Sequence, residues 1–121
     1  MAAIAVPLLA DKIGSWKKWV AECIGPRRKE FEEFNQRMGI NEHRVWFMEG
    51  PLGPQAIVVL EGPGGETMLQ KLASSDHQFD IWFREQISEF HGRDFSAPMT
   101  DPLPENLMDW RSETATLAAE S

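Results

Sequence analysis

The sequence predicts an α+β domain whose strands and helices follow the order β-α-β-β-α-β. Two observations carry this prediction. First, the apolar stretches 43–49 and 55–61 are separated only by the turn-forming run 50–54, so they form an antiparallel hairpin. Second, apolar residues recur at helical spacing on both sides of this hairpin, in 13–38 and in 66–91.

The composition is that of a single domain of 121 residues, with 42% hydrophobic and 26% charged residues. A net charge of -7 argues against nucleic-acid binding, which requires a basic face. The longest apolar run, 1–10, is too short to span a bilayer and lacks the basic start of a signal peptide. The single cysteine, Cys23, lies on an apolar helix stripe and is expected as an inert buried thiol. We therefore expect a cytoplasmic protein that binds neither nucleic acid nor membrane.

The first half of the chain predicts one strand and a broken helix. Residues 2–10 are apolar and partly β-branched, which favours a strand, and Pro7 places this strand at an edge or ends its pairing. From residue 13 the apolar spacing predicts an amphipathic helix, which Gly25-Pro26 interrupts. Proline is favoured at the first position of a helix, so a second helical segment is expected over 27–38.

The second half predicts a short helix over 66–73 and a longer helix that opens at His77. The longer helix has the strongest helical periodicity in the chain, carried by Phe79, Trp82, Phe83, Ile87 and Phe90. A proline-rich connector over 94–105 leads to 106–111, which is expected as a short fourth strand. The domain is thus assigned to residues 1–111, and the polar, alanine-rich residues 112–121 are expected to form a flexible tail.

This element order is that of a ferredoxin-like domain, in which the helices pack on one face of a four-stranded antiparallel sheet. Side chains alternate along a strand, so Val45 and Phe47 point to one face while Trp46 and Met48 point to the other. Both faces of the hairpin are therefore apolar, and the helices cover only one. The simplest cover for the second face is another copy of the chain in a two-fold dimer. The alternative is that the tail or the proline-rich connector folds over it.

Three stretches of the chain resemble the dimeric α/β-barrel superfamily, in particular its uncharacterised bacterial members. They are Arg44-Val-Trp-Phe with its Gly/Pro turn and Ala56-Ile-Val-Val-Leu-Glu61, then 75–85, and then Glu89-Phe-His-Gly92. The resemblance covers about residues 2–111 and implies a homodimeric α/β barrel with a pocket between sheet and helices of one subunit. The broken first helix and the weak fourth strand depart from the family pattern.

The resemblance implies a small-molecule-binding protein, with several activities left open. One is a cofactor-independent monooxygenase, cyclase or isomerase that acts on an aromatic or polyketide-like substrate. Another is a haem protein with a histidine ligand, and a third is a non-catalytic structural or regulatory dimer. The expected partners are a second copy of the chain and a small apolar or aromatic ligand, with neither cofactor nor metal in the first reading.

The candidate site residues lie on the hairpin and on the longer helix. His77 is the candidate catalytic proton acceptor, beside an aromatic cage of Trp46, Trp82 and Phe83 that would orient the substrate. Alternation alone leaves Trp46 open between core and pocket wall. In the haem alternative, His77 or His91 is the iron ligand.

Each polar candidate also has a structural interpretation. His77 would be a helix N-terminal residue partly in solvent, and His91 would interact with the negative end of the helix dipole. Arg84, a candidate anchor for a carboxylate or enolate ligand, would pair with Asp80 at i, i+4. His43 shares a face with the apolar residues of its strand and is expected at the dimer face or its rim.

Overall fold

The described residues, 1–97, 102–110 and 112, fold as three strands and four α-helices in the computed structural model. The elements in chain order are β1 (Ala2–Pro7), a 3-10 turn (Ala10–Lys12), α1 (Ile13–Ile24), α2 (Arg28–Met38), β2 (Glu42–Gly50), β3 (Gly53–Glu61), α3 (Met68–Ser74) and α4 (Gln78–His91). The predicted α+β class, the break after α1 and the hairpin are confirmed. Within these described ranges, every helix is too short or too polar to cross a membrane.

The sheet has the strand order β1-β3-β2, with β3 antiparallel to both of its neighbours. β1 and β2 therefore run parallel on either side of β3, joined by the crossover through α1 and α2. Leu60 pairs with Ala2 on one side and with His43 on the other, which fixes the register across all three strands. This register decides which side chains share a face.

The predicted four-stranded, ferredoxin-like sheet is wrong, because the sheet has three strands. Pro102, Leu103 and Pro104 of the predicted connector line a surface cavity together with the edge strand β1. No backbone hydrogen bond joins the described segment 102–106 to β1. Proline has no N–H to donate, so Pro102 and Pro104 both leave gaps in any ladder formed there.

The rest of the expected fourth strand is only partly described. Residues 106–110 form no strand, and Arg111 lies outside the described residues. The expected flexible tail over 112–121 also lies outside them, apart from Ser112. The chain therefore ends its described part without a fourth strand to complete the predicted barrel subunit.

The core is an aromatic layer between the helices and one face of the sheet, which we call the front face. Phe34 of α2 is fully buried and stacks on Phe83 of α4, with ring centroids 4.6 Å apart. Trp19 of α1 meets the same Phe83 ring edge-on at 4.8 Å. Because side chains of α1, α2 and α4 meet at this one ring, the apolar faces predicted from the sequence pack into a single core.

The opposite face of the sheet, which we call the rear face, is apolar and uncovered by the described residues. Its centre is formed by Ala3, Ala5, Trp46, Met48, Ile57 and Val59, with Pro7 and Gln55 at one end and Glu42, Arg44 and Glu61 at the other. The Trp46 and Met48 side chains are 51% and 50% exposed. Leu107, Met108 and Trp110, which follow the predicted connector, are 80% or more exposed, so they do not pack onto this face.

The turn after β3 packs backbone to backbone against the end of α2. Gly39 ends α2 in the left-handed conformation with φ 73, which glycine adopts without steric cost. Its carbonyl accepts a hydrogen bond from the N–H of Gly64 at 2.9 Å. A Cβ on Gly64 would overlap the carbonyl oxygen of Met38, so only glycine allows this approach.

We expect the Gly64→Ala variant to lose about 1–3 kcal/mol of unfolding free energy, because the added methyl must push two backbone segments apart. Gly14→Ala is the matched control, since nothing lies within 4 Å of a Cβ there and the residue lies in α1. The control should gain up to about 1 kcal/mol from helix propensity. Urea unfolding curves measure both, and equal effects at the two glycines would contradict this account of the turn.

Candidate functional site

An apolar cleft, which we call the front cleft, lies between the front face and the helices. It consists of two cavities of about 190 and about 70 Å³ that share four lining residues, Trp19, His43, Val45 and Phe83. The larger cavity is completed by Val20, Cys23, Ile24 and Phe31. None of the described residues that line either cavity is Lys, Arg, Asp or Glu.

The cleft exists because α1 and α2 meet at an angle above β2 rather than continuing as one helix. A Cβ on Gly25 would lie 2.8 Å from the carbonyl oxygen of Ala21, so glycine is needed where the chain leaves α1. The break places Ile24, at the end of α1, and Phe31, in α2, on the same cavity as His43. The interruption predicted at Gly25-Pro26 therefore shapes the larger cavity.

His43 is held in one tautomer by a short chain of hydrogen bonds. The Asn35 side-chain N–H donates to the carbonyl oxygen of Phe31 at 3.1 Å, so the Asn35 side-chain oxygen is the atom that meets His43. That oxygen only accepts, so Nδ1 of His43, 2.9 Å away, carries the proton. The lone pair of neutral His43 is then on Nε2.

Burial lowers the pKa of His43 to about 4, so its imidazole is neutral at pH 7. Among the described residues, no hydrogen bond engages Nε2. The apolar cleft thus contains a fixed hydrogen-bond acceptor. Cys23, on the same cavity, has its pKa raised by burial to about 12, which agrees with the buried thiol predicted from the sequence.

His91 lines the smaller cavity at the other end of the cleft. Its Nδ1 donates to the carbonyl oxygen of Pro7 at 2.8 Å, and burial lowers its pKa. His43 lies in the sheet row of Ala2, and Pro7 is five residues further along β1, which is about 16 Å. The strand positions beside the two histidines are therefore far apart along the cleft, although both side chains line the smaller cavity.

His77, the residue predicted to accept a proton, lies outside the front cleft. It is the exposed N-cap of α4, where its Nδ1 accepts the N–H of Phe79 at 3.3 Å. It borders an open groove near Arg37 and Asp80 instead. The structure thus places His77 in its capping role and brings His43 to the cleft.

The predicted cage of three rings is not assembled in one place. Phe83 lines both cavities of the front cleft. Trp82 is half-buried beside Trp19, with ring centroids 6.3 Å apart, and the Arg27 guanidinium lies 4.0 Å from its ring centroid. Trp46 points to the rear face. Only Phe83 of the three lines the described cleft.

Arg84 holds the end of α3 and does not pair with Asp80. Its Nη1 donates to three backbone carbonyls, those of Leu72, Ala73 and Ser75, at 2.8 to 3.1 Å. Asp80 is 2% exposed and binds Arg37 and the Ser75 hydroxyl, at 2.5 and 2.6 Å. Both residues predicted as an exposed pair therefore join α4 to other helices.

The sequence placed His43 at the dimer face or its rim, whereas the structure places it on the front face, in the lining of the cleft. His43 shares a face with Val45 and Phe47, and that face proves to be the one the helices cover. The sequence did not show which of the two apolar faces the helices cover. The alternation of side chains along a strand defines the two faces without distinguishing between them.

The front cleft does not fit a haem. Sites for ligands of drug size have volumes of roughly 300–1,000 Å³, well above the two cavities described here. No lysine or arginine among the described residues lines the cleft to meet the propionates. The part of the chain that the structure describes contains no group of three or more His, Cys, Asp or Glu that could hold a metal ion.

Comparisons with protein-family models, with curated proteins and with solved structures found no match for this chain. Membership of the dimeric α/β-barrel superfamily and the cytoplasmic location therefore stay predictions. The functional argument rests on the front cleft.

Because of His43, we expect the free energy of unfolding to decrease as the pH is lowered from about 6.5 to about 4. Its pKa is 6.5 in the unfolded chain and about 4 in the folded one, so protons favour unfolding in that window. Above pH 6.5 the neutral His43 makes its full contribution to the free energy of unfolding. Below pH 4 that contribution is lost, which amounts to at most about 3 kcal/mol.

Urea unfolding at several pH values measures this slope. His43→Leu should make the slope shallower without removing it, because burial also lowers the pKa of His91. His77→Ala, which changes an exposed histidine, should leave the slope as in the unaltered protein. A His43→Leu slope equal to that of the unaltered protein would show that this side chain is not the buried neutral group described.

Proposed function

We propose that this protein binds a small, uncharged aromatic molecule in the front cleft. The observation that carries the proposal is the larger cavity of about 190 Å³ with apolar walls. Apolar cavities of about 150 Å³ bind benzene, so one substituted ring fits here. Burying about 200 Å² of ring surface contributes roughly 5 kcal/mol, which predicts affinities from about 0.1 to 1 mM for such probes.

The pKa of His43 favours binding over proton-abstraction chemistry. A phenol has a pKa of about 10, roughly six units above that of His43. Complete proton transfer from a phenol to this imidazole would therefore cost about 8 kcal/mol. The predicted acceptor His77 lies outside the cleft, and burial also lowers the pKa of His91, the other histidine on the cleft. We therefore place ligand binding ahead of the monooxygenase, cyclase and isomerase activities.

We also propose that the protein is a homodimer formed through the rear face. The centre of this face is apolar, and Arg44 lies at one end beside Glu42, so both charge signs are present for a two-fold contact. Three strands of up to nine residues present only about 400 Å², half of the roughly 800 Å² that each partner buries in a standard interface. The exposed side chains of Leu107, Met108 and Trp110 would supply further area.

Ligand binding should depend on the front face alone. We expect 4-methylanisole to bind the unaltered protein, as seen by saturation-transfer NMR, and Val45→Phe to lower its affinity at least about tenfold by filling the cavity. Val59→Phe is the matched control, since it makes the same change on the rear face of the same sheet. Absence of binding to the unaltered protein would overturn the proposal.

The absorption spectrum of free haem should stay unchanged when the protein is added. A shifted Soret band that disappears in His91→Ala would instead favour the haem alternative, since His91 has its Nε2 available on the cleft. The two outcomes exclude each other at equal protein concentration.

Light scattering after size exclusion should give twice the chain mass. Trp46→Glu should reduce the mass to that of one chain, because it places a charge at the centre of the rear face. Leu52→Glu is the control, since Leu52 is also exposed but lies in the turn between β2 and β3. A monomer mass for the unaltered protein, or the same loss in both variants, would contradict the homodimer.

A further inference from the structure

We infer that the ligand of the front cleft carries a hydroxyl group that donates to Nε2 of His43, and that Asn35 is the positioning residue for this contact. The inference rests on the proposed function and narrows its ligand class to phenol-type molecules. It names the one polar contact that orients an otherwise apolar guest.

The direction of the contact follows from the hydrogen bonds behind His43. The Phe31 carbonyl accepts from the Asn35 side-chain N–H, and the Asn35 oxygen accepts from Nδ1 of His43. Carbonyl oxygens cannot donate, so the order of donors and acceptors has one solution. Nε2 is left as an acceptor, and a ligand must bring the donor.

The charge of the ligand follows from the cleft walls. The described lining contains no lysine or arginine, so a carboxylate or phosphate would lose its hydration without gaining a partner. An ammonium group would meet no carboxylate either. The apolar walls therefore favour a neutral hydrogen-bond donor on the ligand.

Donor strength favours a hydroxyl over an amine among the neutral donors. A phenolic O–H is more acidic than an aryl N–H, so it makes the stronger hydrogen bond to an imidazole nitrogen. The Trp19 ring adds an aromatic wall to both cavities, against which the ring of the ligand packs.

The test compares 4-methylphenol with 4-methylanisole at pH 7. The ether keeps the ring and the oxygen and carries a methyl group in place of the donor hydrogen. By calorimetry or NMR titration, we expect the phenol to bind three- to tenfold more tightly than the ether. His43→Leu should bring this ratio to about one, and Asn35→Ala should lower it. His77→Leu, which changes an exposed histidine outside the cleft, should leave it unchanged.

A spectroscopic readout needs no variant. Long-range ¹H–¹⁵N NMR of the His43 ring should show the Nδ1–H tautomer in the free protein. The Nε2 resonance should shift when 4-methylphenol is added and stay in place with 4-methylanisole. In Asn35→Ala the free ring should show a mixture of tautomers, which a purely structural role of Asn35 would not produce.

The outcomes separate this inference from the proposed function. If both probes bind the unaltered protein equally, or if His43→Leu keeps the ratio, the hydroxyl contact is overturned while ligand binding stands. If neither probe binds, the proposed function fails and the inference fails with it. An unshifted Nε2 resonance at saturating phenol overturns the inference even where His43→Leu does not fold.

Discussion

Phe83 is the ring on which the arrangement of the helices depends. It stacks on Phe34 of α2 and meets Trp19 of α1 edge-on, so one side chain of α4 fixes two other helices above the sheet. These contacts fill the centre of the layer, where Leu60 and Ala56 of β3 are fully buried. They do not fill the space above β2, where α1 and α2 diverge. The front cleft is therefore the space that the aromatic layer leaves unfilled.

The local patterns in the sequence predicted the elements well, because helices and hairpins are set by nearby residues. The periodicity from Phe79 to Phe90 became α4, and the run 50–54 became the turn region of the hairpin. The fourth strand, predicted over 106–111, is not formed by the described residues 106–110. The segment beside β1 belongs instead to the predicted connector, where Pro102 and Pro104 lack the N–H that a ladder needs.

The candidate site was harder to predict, because a site depends on which surfaces meet. The sequence placed His77 next to an aromatic helix, but a residue that opens a helix lies at its end, where its side chain caps the backbone. Trp46 was assigned to a cage with Trp82, and alternation alone could not say that the helices choose the other face. His43 is four residues before Phe47 on that chosen face, a relation visible in the sequence once the helix side is known.

The cleft combines walls without charge and groups that stay neutral. His43, with a pKa of about 4, and Cys23, with a pKa of about 12, are both uncharged at pH 7. The same burial that lowers the basicity of His43 keeps its lone pair free for a hydrogen bond, since no proton competes for it. β2 carries this acceptor on an edge of the sheet, with one hydrogen-bonded neighbour, β3. The position of Nε2 therefore depends on the β2–β3 register and on the Asn35 contact, which together hold the imidazole from two sides.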